Sequence, residues 1–542
     1  MAWSRADHLA RLAAAGPFDT VVIGGGITGC GIALDLAARG LRVALVEQRD
    51  FASGTSGRST KLFHGGIRYL PQLEFHLVAE GLREQQVLAE IADYLFQPLE
   101  FVIPLYQQYG IADAPSWAAR GRRAVAALKA GLLLYDLLGG RERPGERHRH
   151  LTASQVLELV PSLRPEGLRS GYVYSDAQTD DARLVLAVVR TAVERYGAVA
   201  VNRIQAGTLH HRSGTYQVEV TDQESGQTWP LSTRTVVAAT GAFPAPGLVG
   251  AQPLEIVTSK GAHLLFDRQA VGLADHAVVL PETEDERVLF IIPWQGHALV
   301  GTTDTAYHGD LDHPRADEAD IAYLLRHVER FLDVARLEPL ATFAGLRALA
   351  NSGEGSTAHV SRDHLIAEPH PGYVQVAGGK LTTYRRISAE AAARVARHLR
   401  ASKRSPTGAI PLVGAGGDLR NARTRLTNSG FTGEAATAAV SRYGAASVEL
   451  TEVARIRPDL ATTLGDGRTT GAEVVHAVRF EAATTLADFT LRRTRLAWLT
   501  PDHARKDQDR IAELMAAELG WDQSQRTRQV AAHEAELAAE GL

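Results

Sequence analysis

The chain has 542 residues, 45% of them hydrophobic and 22% charged, with a formal net charge of −4. That length exceeds what one hydrophobic core fills, so two or three domains are expected. The charge balance excludes a global pull toward nucleic acid, and a single cysteine, Cys30, excludes an intrachain disulfide framework and a cysteine metal cluster.

The opening segment, MAWSRADHLARLAAAGPFD, has the Ala-rich pattern of a short helix and lacks the apolar core of a signal peptide. FDTVVIGGGITGCGIALDLAARGLRVALVEQRD then reads as strand, Gly-rich turn, helix and strand. Val21, Val22 and Ile23 suit a buried parallel strand, apolar positions recur at helical spacing from Ile27 to Ala38, and Gly40 ends the helix. Gly24, Gly26 and Gly29 form GxGxxG, and Glu47 closes the next strand 18 residues after Gly29. In such a unit the glycines provide a tight turn, close backbone approach to a pyrophosphate and close helix–strand contact, while the helix N-terminus faces the phosphates. Glu47 is placed to accept both ribose hydroxyls, and its charge disfavours a 2′-phosphate. The fingerprint alone leaves FAD and NAD open.

SGRSTKLFHGGIRYL, residues 56–70, gathers Arg58, Lys61, His64 and Arg68 without one acidic residue. Either the stretch is a solvated loop or something anionic sits against it. Helical patterns follow at 76–93 and 182–196. AVAALKAGLLLYDLLGG is the clearest apolar helix, but Lys129 and Asp136 make it too short and too charged to span a bilayer. His148 and His150 sit in the polar run GGRERPGERHRHL and are expected in a solvated loop, not at a metal. The stretch from about 190 to 240 alternates as β-structure and ends in VVAATGA, a second strand-to-Gly turn of the kind FAD enzymes run past the dinucleotide. Further strands occupy about 255 to 305. ADIAYLLRHVERFLDVA is a helix, and GYVQVAGGKLTTYRRISAEAAARVARHL is strand, Gly turn and helix once more. ASKRSPTGAIPLVGAGGD marks a boundary near residue 405, beyond which the pattern is almost purely helical.

VVIGGGITGCGIALDLAARG, SGRSTKLFHGGIRYL, DDARLVLA, IIPWQGHALVGTTD and GGKLTTYR together resemble the FAD-dependent glycerol-3-phosphate dehydrogenases, non-NAD enzymes that pass electrons to a quinone. RFEAATTLADFTLRRTRLAWL resembles that family's C-terminal helical domain. The resemblance implies an α/β fold: an FAD-binding Rossmann-type domain of the amine-oxidase-like class, a sheet-containing substrate cap and a C-terminal helical domain. Residues 18–400 would form the oxidoreductase region, with FAD-binding segments near 18–100, 182–250 and 340–400 and cap segments near 100–181 and 250–340. Residues 401–418 would be a linker and 419–542 the helical domain.

The resemblance further implies that Gly24, Gly26, Gly29 and Glu47 bind the ADP half of FAD. Thr55, Ser59, Thr60, Lys61, His64 and Gly66 would line the pyrophosphate and flavin, with Thr240 and Gly241 along the dinucleotide. Gly378, Gly379, Leu381 and Thr382 would bring backbone N–H groups to the flavin ring. Arg58 is expected on the FAD side as well, while His64 is either a ligand group or a hydrogen-bonded structural histidine. Arg68, Tyr69, Arg347, Arg362 and Lys380 match positions associated with the phosphorylated substrate, and His263 matches another active-site position. The chain departs from the family at Ala242 and Phe243, where Pro-Trp is common, at Ala348, where Pro is common, and at Pro71, where an acid is frequent.

The implied reaction is oxidation of sn-glycerol 3-phosphate to dihydroxyacetone phosphate, with hydride passing to FAD and electrons then to a quinone. Arginine offers planar, bidentate recognition of a phosphate dianion. His263 is favoured as the base, with Lys380 as its rival and Arg347 beside them in the catalytic set. Arg120, Arg122, Arg123 and Lys129, beside a broad apolar surface in 115–139, suit either an anionic headgroup region or a core helix with a solvated basic end. The expectation is a cytoplasmic protein, peripheral to the membrane and homodimeric, holding neither nucleic acid nor metal. An oxygen-reducing oxidase, an amine or amino-acid oxidase and a catalytically silent flavoprotein stay open as alternatives.

Overall fold

The computed structural model describes residues 3–70, 74–107, 121–140, 144–248, 251–252, 254–280, 288–350 and 364–542. A first sheet runs in the order Leu365–His370, Tyr373–Ala377, Thr228–Ala238, Phe18–Ile23, Val43–Val46 and Val199–Val201. Apart from the antiparallel Leu365–His370, these strands are parallel. Every residue of Val43–Val46 is buried, as expected of a parallel strand covered on both faces. The helix Ile27–Ala38 follows the first strand and packs against Asp181–Tyr196 and Tyr384–Leu399. Its sequence is apolar almost all round because neighbours cover nearly all of it. This is the expected Rossmann-type unit.

A second, mostly antiparallel sheet begins with Leu62–Phe63 and Gln97–Tyr106 and includes Leu168–Gln178, Ile256–Asp267, Leu289–Trp294 and His297–Gly301. The strand Ala341–Ala350, expected with the nucleotide-binding segments, belongs here. It pairs along its whole length with Ile256–Asp267, which sets Arg347 opposite Ser259 and Phe343 opposite His263. The expected polar loop around His148 and His150 also differs: Arg149–Thr152 forms a strand against Leu168–Gln178. His148 Nδ1 lies 2.6 Å from Asp136 Oδ2. That local pairing orders a segment whose composition alone suggests solvent.

From Leu419 onward the described elements are helical, around a core that includes Phe431, Leu450, Phe489 and Met515. The preceding stretch, expected as a linker, is packed: Leu412 is buried and its N–H donates to Ile91 O at 2.7 Å. Buried ion pairs tie the helical region to the rest. Arg492 and Arg493, on a π-helical turn over Asp488–Arg493, both donate to Asp50 at 2.6 Å. Arg183 makes a bidentate pair with Glu481 at 2.8 and 2.5 Å. Breaking one member of such a buried pair costs about 3–5 kcal/mol, so the two regions are expected to unfold together. Among the described residues no helix is long and apolar enough to cross a membrane.

Candidate active site

A cavity of about 500 Å³ lies between the carboxyl ends of the first sheet's strands and the second sheet. Its lining runs from Glu47, Arg49 and Ile204 past the 53–60 loop to Tyr69, His263, Arg347 and Lys380. The strand Phe18–Ile23 delivers Gly24 with φ +111°, where an added Cβ would lie 2.3 Å from Ala239 O. Only glycine makes this turn. Gly29 faces the strand, not the cavity: its Cβ would fall 1.9 Å from Gly24 O. Gly26 caps the helix Ile27–Ala38 and lines the cavity.

Glu47 is a half-buried part of the lining, with Oε2 accepting from Gly25 N–H at 2.6 Å and Oε1 from Arg49 N–H at 2.7 Å. Burial pushes its carboxyl above the usual range, and the two N–H groups oppose that shift. Arg58 lines the cavity too. One guanidinium nitrogen donates to Glu540 at 2.5 Å, while its Nη1 is buried with no hydrogen-bond partner among the described residues. A buried, unpartnered guanidinium N–H beside a helix N-terminus is where an anion belongs. These features fit the adenosine ribose and pyrophosphate of FAD, with Glu47 for the ribose and the Gly26 end of the helix and Arg58 for the phosphates.

Most of the expected cofactor residues line this cavity: Thr55, Ser59, Thr60, His64, Gly66, Thr240, Gly241, Gly378, Gly379, Leu381 and Thr382. Thr382 Oγ1 donates to His64 O at 3.2 Å, tying the 378–382 turn to the 62–69 segment. Lys61 is the correction. It is fully buried, with Nζ 2.9 and 2.8 Å from the two Asp181 oxygens and 3.0 Å from Gly57 O. A backbone φ of +64° at Lys61 accompanies a side chain that lies among the rings of Trp294, Phe343 and Trp498 and lines no part of the cavity. Burial lowers its pKa to about 8 despite Asp181.

His263 is buried, its ring 4.8 Å from that of Phe343, and its Nε2 is 3.0 Å from Thr60 Oγ1. Burial, followed by the charges of Lys61 and Arg347, pushes its pKa well below the usual imidazole value, so the ring is neutral at pH 7. Arg347 lines the same region, with Nη1 3.1 Å from Asp304 Oδ1 and Nη2 donating to Thr303 O at 3.0 Å and Thr302 Oγ1 at 3.2 Å. Lys380 Nζ lies 4.0 Å from the centre of the Tyr69 ring. Ala242, Phe243 and Ala348, the departures from the family pattern, all form cavity wall. Arg362, Pro71, Arg120 and the side chains of Arg68, Arg122 and Arg123 lie outside the described residues.

A neutral imidazole, a guanidinium and an ammonium lining one nucleotide cavity can hold an anionic alcohol and take its proton. Comparison with known proteins specifies the class. A family model described as FAD dependent oxidoreductase matches residues 19–385, and one described as the C-terminal domain of alpha-glycerophosphate oxidase matches 405–526. Glycerol-3-phosphate dehydrogenase of Mycobacterium leprae is 37% identical, over 97% of this chain and 89% of its own. The Synechocystis enzyme of the same name is 32% identical, over 95% of each. The chain belongs to the FAD-dependent glycerol-3-phosphate dehydrogenase family. It is an FAD-dependent oxidoreductase acting on CH–OH groups. The Bacillus halodurans glycerol-3-phosphate dehydrogenase, whose structure holds FAD, superposes with a TM-score of 0.78 at 27% identity, covering 99% of this chain and 97% of that one.

Within this family member the structure adds residues that sequence reading missed. Ser56 Oγ accepts the Ile27 N–H at 2.9 Å, so the 55–57 turn caps the nucleotide helix. Gly25 has no room for a side chain, because a Cβ there would sit 2.7 Å from Phe51 and 2.8 Å from Glu47. Asp181 collects Ser59, Lys61 and Arg495 and thereby holds the 57–61 segment from behind. Only the run of three glycines at 24–26 carried a signal; Ser56 and Asp181 act through contacts distant in sequence.

Proposed function

We propose that this enzyme oxidises sn-glycerol 3-phosphate to dihydroxyacetone phosphate and passes the electrons on to a quinone. The observation that carries the reading is that Arg347 lines one cavity together with a neutral His263 and Lys380. Bound FAD supplies the hydride acceptor. Arg347 and Lys380, with Arg68 and Arg362 from the expected set, hold the phosphate dianion; guanidinium forks favour it over an unphosphorylated alcohol. His263 takes the hydroxyl proton as the C2 hydride leaves, so two electrons and one hydrogen depart together and a proton stays on the imidazole. Thr60 Oγ1, hydrogen-bonded to His263 Nε2, fixes the ring's orientation. Tyr69, buried under Lys380, keeps that ammonium turned into the cavity.

Peripheral attachment to an anionic membrane surface fits a lipid-soluble acceptor. The helix Gly121–Gly139 supports it by leaving Leu133 and Leu137 54% and 75% exposed, while Leu128 on the same helix lines the main cavity. Turnover of glycerol 3-phosphate with a soluble quinone analogue tests the reading, with dihydroxyacetone phosphate and quinol assayed together. Equimolar formation of both is expected; hydrogen peroxide in place of quinol would make the enzyme an oxidase.

A further inference from the structure

We infer that a second, smaller cavity, between the second sheet and the C-terminal helices, binds a small oxoanion of the phosphate class. It measures about 120 Å³ and is lined in part by Thr179, Asp180, Arg183, Ser441, Arg442 and Arg468. Such a volume holds about four waters or one tetrahedral oxoanion.

Among the described residues one guanidinium at this cavity has no carboxylate within ion-pair distance. Arg183 is neutralised by its bidentate pair with Glu481, and Arg442 by Glu473 at 2.5 Å. Asp180 is taken by Arg495 at 3.2 Å and by Gln295 Nε2 at 3.0 Å. Arg468 is different. Its Nη1 donates to the backbone carbonyl of Gln295 at 2.9 Å, and among the described residues no carboxylate pairs with its guanidinium. The nearest acid in sequence, Asp466, is turned away: Oδ1 accepts the Arg468 and Thr469 N–H groups and Oδ2 accepts Thr469 Oγ1. Burial and the charge of Arg442 weigh against the Arg468 cation more than Asp466 and Glu434, neither paired with its guanidinium among the described residues, favour it.

An independent observation points the same way. Thr179 lines this cavity at 2% exposure, and its Oγ1 is buried with no hydrogen-bond partner among the described residues. A buried hydroxyl without a partner is costly unless a ligand or water supplies one. A guanidinium lacking a counter-ion and a hydroxyl lacking a partner, in one polar cavity, together describe a receptor for an anion with several acceptor oxygens. The ion would come either as free phosphate or as the head of a phosphate monoester.

Equilibrium dialysis of the FAD-loaded enzyme against inorganic phosphate tests this, with phenyl phosphate as a second probe. The wild type should bind one more phosphate per chain than Arg468→Gln, or bind it at least tenfold more tightly. Ser441→Asp, at an exposed position, should cause the same loss by setting a carboxylate beside Arg468 without removing any arginine. Arg347→Gln should leave this phosphate in place, which separates it from any phosphate in the main cavity. Phenyl phosphate binding in parallel would identify the ligand as an ester head; its exclusion would identify the free ion. Equal phosphate binding by wild type and Ser441→Asp would overturn the site and leave the cavity to water.

Discussion

Arg58 and Glu540, 482 positions apart in the chain, meet at 2.5 Å beside the nucleotide cavity, 6% and 3% exposed. The last helix of the C-terminal region thus holds a loop that lines the cavity. Burial opposes ionisation of Glu540, but Arg58 and His313 outweigh it and hold the carboxyl at about 2. A carboxyl depressed in the folded state stabilises the protein above its unfolded value near 4.5, and that contribution fades as the pH falls toward 2. Glu540→Gln should therefore lower stability by about 3 kcal/mol at pH 7 and speed FAD loss. The gap in melting temperature between variant and wild type should hold or widen as His313, raised by Glu540, takes its proton, and narrow below about pH 4.5. Equal melting temperatures at pH 7 would show that the pair is inert.

Two of the fingerprint glycines should fail in different ways. A side chain at Gly29 collides with Gly24 O, whereas one at Gly26 meets only Ser56 Oγ at 3.0 Å and otherwise enters the cavity. Gly26→Val should give a folded, colourless protein, and Gly29→Val should not accumulate in soluble form. Flavin absorbance and circular dichroism separate the outcomes. A yellow Gly26→Val protein would move the pyrophosphate elsewhere.

Lys61→Met tests the correction at that position. If Lys61 serves the Asp181 cluster, the variant should lose about 3–5 kcal/mol of stability, and the folded fraction should still be yellow. Undiminished stability with lost FAD would return Lys61 to the cofactor.

Local pattern made the βαβ unit, the Gly turn near 378 and the helical C-terminal region legible, because each depends on residues within a turn or two of one another. His263, Arg347, Tyr69 and Lys380, named from the motifs, all line one cavity. Lys61 was misjudged because a cation in a Gly-rich loop near a nucleotide looks available. Its counter-ion lies 120 positions away, on the helix that begins at Asp181. The strand Ala341–Ala350 was assigned to the wrong sheet for a related reason: alternation predicts a strand but not its neighbour. Asp50 with Arg493 and Arg58 with Glu540 are likewise visible only after the chain has folded.

Membrane attachment should depend on charge. Replacing Arg120, Arg122, Arg123 and Lys129 with Gln should weaken binding to anionic vesicles by roughly 1 kcal/mol per charge near the surface. Raising the salt should weaken wild-type binding as well. Equal flotation of both proteins with anionic and neutral vesicles would remove this helix from the membrane.

The central claim is that the cavity oxidises a phosphorylated alcohol held by arginine, and anaerobic bleaching of the enzyme-bound flavin tests it most directly. Glycerol 3-phosphate should bleach the wild type at low concentration, while glycerol and amino acids should react poorly. Arg347→Gln should keep a normal flavin spectrum yet need about tenfold to 150-fold more glycerol 3-phosphate, the worth of one charge-assisted hydrogen bond of about 1.5–3 kcal/mol. Arg347→Lys should recover part of that loss, because an ammonium lacks the planar fork. The pairing of Arg347 with Asp304 gives the contrary account its footing: a purely structural arginine would cost solubility or flavin and leave substrate preference unchanged. Flavin that glycerol 3-phosphate fails to bleach in the wild type, or bleaches equally well in Arg347→Gln, would contradict the assignment.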